Sequence, residues 1–205
     1  MEEPAIKRAI AFIDGQNLFR HAKEAFGHHH PNHDPNKLFD AVCGEYGWQN
    51  RGVRYYTGVP KADRDPFWHG YWTKRLRAMR NGGIHVTYRT LKYPGGRPVE
   101  KGIDVRIALD VIRMAREMHY DVGVNFSQDQ DLAEVAREVR RIARSQERWI
   151  KLVSAFPSSP TATSRRGIDR TDWLPIERHV YDACLDPRDY RPRTVRQSGP
   201  AGRGR

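Results

Sequence analysis

The 205 residues predict an α/β fold, a three-layer sandwich around a mostly parallel central sheet. Two observations predict it. Apolar runs alternate along the chain with segments of helical periodicity, the order expected of strands joined by crossover helices. The first run, Ala9-Ile10-Ala11-Phe12-Ile13, is apolar at consecutive positions, as a strand buried on both faces should be.

In order, Lys7 to Ile13 is the first predicted strand and Gln16 to Phe26 a helix, with Leu18, Phe19, Ala22 and Phe26 spaced for one face. A loop rich in histidine follows (His28, His29, His30, His33); its histidines offer metal binding as one reading, and a solvated loop close to the site is preferred, since Pro31 and Pro35 fit no regular ligand-bearing element. Asn36 to Tyr46 reads as a helix and Val53 to Val59 as the second strand. A helix from Asp65 to Arg80 opens on Pro66, which suits a first turn. Its Trp68, Trp72, Leu76 and Met79 form a core stripe, leaving Phe67, Tyr71, Lys74 and Arg75 off it, either as a solvated face or as a surface for stacked nucleotides. Ile84 to Leu91 is the third strand. A long helix runs from the Gly102 region to His119, Asp121 to Phe126 is the fourth strand, Ser127 to Gln146 a helix and Trp149 to Phe156 the fifth strand. The loop 157–166 ends in Arg165 and Arg166, and Trp173 to Leu185 reads as a last helix. Residues 1–186 are expected to form one domain. Residues 187–205 read as a basic Arg/Pro/Gly-rich tail, unstructured alone, whose arginines suit phosphates.

The chain carries a formal charge of +11, which favours a polyanionic partner, nucleic acid before membrane surface. Cys43 and Cys184 are far apart without metal-ligand spacing and fit free thiols in a reducing compartment. The N-terminus lacks signal-peptide order, and no apolar run nears the roughly 20 residues that span a bilayer. A soluble cytoplasmic protein is the expectation.

Three acidic clusters stand out. Asp14 follows the first strand directly, where ligands sit in an open α/β sheet. Its simpler reading is an Asx turn capping the next helix, and Asn17 can cap or hydrogen-bond nearby. Asp104 extends the apolar stripe Ile107, Ala108, Val111, Met114, Ala115 and Met118 toward the helix start. It is therefore expected at the sheet's edge, where a buried charge needs a partner. Asp110 shares a face with Arg106, Arg113 and Glu117 and is expected to be a solvated salt-bridging residue. The third cluster, Ser127-Gln128-Asp129-Gln130-Asp131, also fits a capping box of Ser127 with Gln130. Capping explains one acid but not three that share one edge. Carboxylates without Cys or His favour Mg²⁺ or Mn²⁺. A pair of such ions about 3.5–4 Å apart can activate water and stabilise the leaving oxygen of a phosphodiester.

Three stretches together resemble the NYN domain family of PIN-like nucleases: Phe12-Ile13-Asp14-Gly15-Gln16-Asn17-Leu18, Lys101-Gly102-Ile103-Asp104 through Asp110, and Ser127 to Leu132. The resemblance implies a metal-dependent endoribonuclease using Mg²⁺ or Mn²⁺ on RNA, with single strands favoured. It makes Asp14, Asp104 and Asp129 metal ligands, with Asp131 completing the catalytic site. Asn17, Lys101, Ser127, Arg165 and Arg166 would meet substrate. The third motif departs from the family at Gln128, where Gly is usual and where a long side chain would crowd the metal site. The alternative is a catalytically weak RNA-binding or adaptor module on the same fold. A phosphatase using Asp14 as nucleophile would want a second acid at position 16, where Gln stands. A receiver-type phosphoacceptor fits the basic charge poorly. A homodimer or a protein partner is left open.

Overall fold

The computed structural model describes residues 1–163 and 166–192. Its elements run β1 (Arg8–Asp14), α1 (Gly15–Phe26), α2 (Pro35–Tyr46), β2 (Gln49–Val59), α3 (Pro66–Asn81), β3 (His85–Thr90), α4 (Ile103–Arg116), β4 (Val122–Phe126), α5 (Ala133–Ser145), β5 (Lys151–Pro157), β6 (Asp172–Ile176) and α6 (Arg178–Ala183). Single turns of 3₁₀ helix stand before α4 and α5.

The six strands lie in the order β3-β2-β1-β4-β5-β6, and every pairing is parallel. The sheet separates two apolar layers. Alternate residues of β1 feed each: Ala9, Ala11 and Ile13 pack with α1, α2, α3 and α6, and Ile10 and Phe12 with α4 and α5. Every residue of β1 from Ala9 onward is buried, which is why the sequence shows a solid apolar run rather than an alternating one.

The chain reverses direction across the sheet between β1 and β4. The two strands pair in register to Ile13 opposite Phe126. Beyond their carboxyl ends the connections leave to opposite faces, opening a crevice where open α/β sheets bind ligands.

Several expectations are corrected. The predicted last helix is β6 plus a short α6. Five residues including Pro175 carry a weak strand signal, and Pro is tolerated here because β6 is an edge strand. His33 is fully buried, with Nδ1 against the Tyr181 hydroxyl at 3.1 Å, and burial holds it neutral, well below the usual imidazole range. His28 stacks on Tyr181 and contacts Asp182 at 2.9 Å, so this loop is partly packed. Tyr71 and Arg75, expected on the outer face of α3, are buried. The Arg75 guanidinium donates to the His33 carbonyl at 2.5 Å. Both cysteines are free and buried. Tyr190 is also buried, packed on Tyr71 and hydrogen-bonded to Asp186, so packed structure reaches past residue 186. The tail from 193 to 205 lies outside the described residues.

Candidate active site

Asp14 is the last residue of β1 and caps α1. One carboxylate oxygen, Oδ1, accepts from the backbone N–H of Gln16 at 3.1 Å and of Asn17 at 2.9 Å. The capping reading is thus correct, and it fixes the carboxylate at the mouth of the crevice. The turn is tight: a Cβ on Gly15 would meet the Tyr55 hydroxyl at 2.5 Å, so only glycine lets that buried ring lie against it. Asn17 is buried and ties the two strand ends together, its Oδ1 accepting from the Gln128 N–H at 3.0 Å.

One cavity of about 480 Å³ is lined by Asp14, Glu100, Lys101, Gly102, Asp104, Val105 and Asp129. Four carboxylates from four points in the chain therefore face the same space. Asp129 follows β4 and caps the 3₁₀ turn through Asp131 N–H at 3.1 Å. Asp104 stands in the first turn of α4 and is exposed, not part of the buried stripe. The true stripe is Ile103, Ile107, Asp110, Val111 and Met114. The expected roles of the two acids on α4 are exchanged: Asp104 is the accessible one, and Asp110 is buried at 1% exposure. Asp110 accepts from the Tyr56 hydroxyl at 2.8 Å and pairs with Arg106 and Arg113.

Glu100 escaped the sequence reading. It lies in the loop before α4, where no periodicity marks which side chains turn inward, and its folding under Gly58 is a tertiary event. Its Oε2 is buried with no hydrogen-bond partner. Burial, then the charges of Asp14 and Asp104, push its carboxyl up to about 7. Burial also pushes Asp14 up to about 6, with the Asp129 charge acting in the same direction, against the two capping amides. Two acids that resist ionisation beside further carboxylates form a centre that a cation would relieve.

The donor set suits a hard divalent ion, and the orphaned Glu100 oxygen is of the kind such an ion satisfies. Among the described residues no three His, Cys, Asp or Glu side chains already converge on one point. Mg²⁺ does not require three, since it keeps several waters and takes one or two carboxylates. The residues fit the ion by chemistry.

The other expected site residues lie elsewhere. Asp131 is exposed and lines neither this cavity nor the groove beside it. Ser127 is buried, its Oγ accepting from Asp129 N–H at 3.1 Å and its carbonyl from the Ser154 hydroxyl at 2.6 Å. Gln130 does not close a capping box with it. Its amide instead donates to the Gly167 carbonyl at 2.9 Å. Gln128 points away from the acids, its Nε2 donating to the Arg166 carbonyl at 2.8 Å, so it does not crowd the cavity. Arg166 is exposed and paired with Asp169 at 2.7 Å. Arg165 lies outside the described residues.

The NYN domain profile matches residues 8–166, and the chain belongs to the NYN domain family. The class so defined is nuclease-like, with an RNA-related function. No curated protein shows a significant match to the chain. The crystal structure of a protein of unknown function from Vibrio parahaemolyticus is similar at 21% identity and a TM-score of 0.55, covering 86% of this chain and 96% of that one. That likeness shows a shared fold. The crystal structure of MurG from Acinetobacter baumannii is similar at 10% identity and a TM-score of 0.33, over 82% of this chain and 45% of that one. A likeness that weak carries no argument.

Proposed function

We propose that the protein is a metal-dependent endoribonuclease that hydrolyses RNA phosphodiester bonds. The observation that carries this reading is the gathering of Asp14, Glu100, Asp104 and Asp129 around one cavity at the switch point of a basic protein. Acids without a cation would repel a polyanion, whereas acids holding one would anchor it. Asp14, Asp104 and Asp129 would hold Mg²⁺ or Mn²⁺, with Glu100 closing the inner wall. When bound, such an ion lowers the pKa of water and offsets the charge on the leaving oxygen.

The chain's own groups do the positioning. The two amides on Asp14 fix one ligand oxygen and leave the other free. Lys101 sits exposed on the rim, able to meet a phosphate oxygen. Gly102 starts α4 in a left-handed turn with no side-chain cap, so the first amides of that helix remain available to an anion. In the reaction, a water oxygen bonds to phosphorus, the bond from phosphorus to the departing sugar oxygen breaks, and that oxygen takes up a proton.

The experiment uses a circular single-stranded RNA with Mg²⁺, Mn²⁺ or EDTA. Opening of the circle with metal, and none with EDTA, is expected, because only an endonuclease cuts a strand without ends. One observation favours the binding-module alternative, namely that the carboxylates do not converge on one point. Circles that stay closed under every condition while still binding the protein would establish that alternative.

A further inference from the structure

A groove of about 700 Å³ runs from the acidic cavity and shares Asp14, Glu100 and Asp129 with it. This size is that of ligand clefts, roughly 300–1,000 Å³. One wall is the outer stripe of α1, where Gln16, Phe19, Arg20 and Lys23 recur with the spacing of one helical face. The opposite stripe, Leu18, Ala22 and Phe26, is buried in the core. Trp68 and Trp72 of α3 line the same groove, together with Pro31 and Pro98.

Phe19 interrupts an otherwise polar stripe and is half-buried, while Arg20 and Lys23 are exposed. Phe19 is not among the buried core residues, and it stands on this stripe beside two cations, lining a groove shared with Trp68 and Trp72. At about 1.5 Å per residue, Arg20 stands about 9 Å and Lys23 about 13 Å along the helix from Asp14. A polyanion whose reacting group sits at the carboxylates would pass over both cations in turn. Its flat apolar groups would meet Phe19 and Trp68.

We propose that this groove holds an unpaired stretch of RNA beside the bond to be cut, with a base stacked on Phe19 and Trp68 and phosphates over Arg20 and Lys23. The inference rests on reading the acidic cavity as the cleavage centre. It goes beyond that reading by assigning the choice of single strands to these residues. In a duplex both faces of a base are already stacked, and its edges are paired. A base reaches side chains like these only when splayed out.

The test measures binding of a short labelled single-stranded RNA, and of the same sequence as a duplex, in EDTA so that no strand is cut. Phe19→Ala should weaken single-strand binding about tenfold, as loss of one base–aromatic stack does, with little change for the duplex. Phe19→Tyr should bind like the wild type. The double variant Arg20→Gln with Lys23→Gln removes two exposed charges. It should flatten the dependence of log affinity on log salt by about 1.4, at about 0.7 per phosphate contact on a single strand. Wild-type affinity in Phe19→Ala, with an unchanged salt slope in the double variant, would overturn the proposal even if the protein cuts RNA. Conversely, if the variants behave as expected but the wild type opens no circular RNA with metal, the groove stands and the nuclease reading fails.

Discussion

Asp14→Asn should abolish RNA cleavage and leave the protein folded, and in the absence of metal more stable than the wild type. The two effects share one cause. Asp14 is 7% exposed and sits beside other acids, so its carboxylate is held in place at an energetic cost to the fold. The cost is useful only if a cation is to be bound. Asparagine keeps the cap, since its Oδ1 can accept from the same two amides and it ranks with aspartate at this position. What it loses is the charge. Cleavage should fall by about 10³-fold, the upper range for removing one electrostatic stabiliser from an active site. The stability effect has a definite sign. Asp14 titrates at about 6 in the fold and near 3.8 in an ordinary environment. The folded state therefore holds this proton more tightly, and stability falls as pH rises between those values. Ionised Asp14 costs about 3 kcal/mol above about pH 6 and nothing below about pH 4. Thermal melts in EDTA should show the variant ahead of the wild type at pH 7.5, with the lead gone near pH 4. A variant that cleaves at the wild-type rate would remove Asp14 from the chemistry.

Asp110→Asn should do the reverse, costing stability while leaving the reaction of each folded molecule nearly intact. The Asp110 carboxylate is buried under Arg106 at 3.0 Å, Arg113 at 3.4 Å and Arg54 at 3.7 Å, with the Tyr56 hydroxyl donating at 2.8 Å. It joins α4 to β2 by charge, and it lines no part of the acidic cavity. Removing one partner of a buried ionic network costs about 3–5 kcal/mol. The arginine side chains of Arg106 and Arg113 are 41% and 48% exposed, so water relieves part of this. About 2–3 kcal/mol is expected, or a melting temperature lower by roughly 4–12 °C for a domain of this size. Cleavage per folded molecule, measured well below that temperature, should stay within about twofold of the wild type. A variant that melts like the wild type and fails to cut RNA would place Asp110 in the reaction.

These two residues show what the sequence makes legible. The strands and their parallel type could be read because β1, β4, β5 and the second half of β2 are runs of mostly buried residues ended by a turn. The position of Asp14 followed from chain order alone. The phase of α4 was the difficult point. Asp104 and Asp110 lie six residues apart, less than two turns, and a stripe started at Ile107 points to either acid depending on which residue extends it. The structure extends it through Ile103, which moves Asp104 outward and brings Asp110 in. The sequence offered Arg106 and Arg113 as partners for Asp110 but not Arg54 or Tyr56, which arrive from β2. Tyr71 and Arg75 failed for a similar reason: the surface that covers them is the loop at Pro31 to His33 and Tyr190, both distant in the chain. Glu100 was invisible because loop residues carry no period, and its carboxylate lies close against the bare backbone of Gly58. Trp68 and Trp72 were read as core, and Trp72 is, yet both also face the groove.

Asp14, Asp104 and Asp129, with Glu100 at the inner wall, should form a single centre for divalent cations. Titration of Mn²⁺ into metal-free protein at pH 7, by calorimetry in buffers of differing ionisation enthalpy, tests it without substrate. Glu100 near 7 and Asp14 near 6 both carry part of a proton at that pH. Binding should therefore release protons. Glu100→Gln should reduce the release, and Asp129→Asn should weaken binding by about 10–100-fold, at least as much as loss of an outer supporting group does. Equal Mn²⁺ affinity in the wild type and in Asp129→Asn, with no proton release in either, would show that these carboxylates do not form a metal centre.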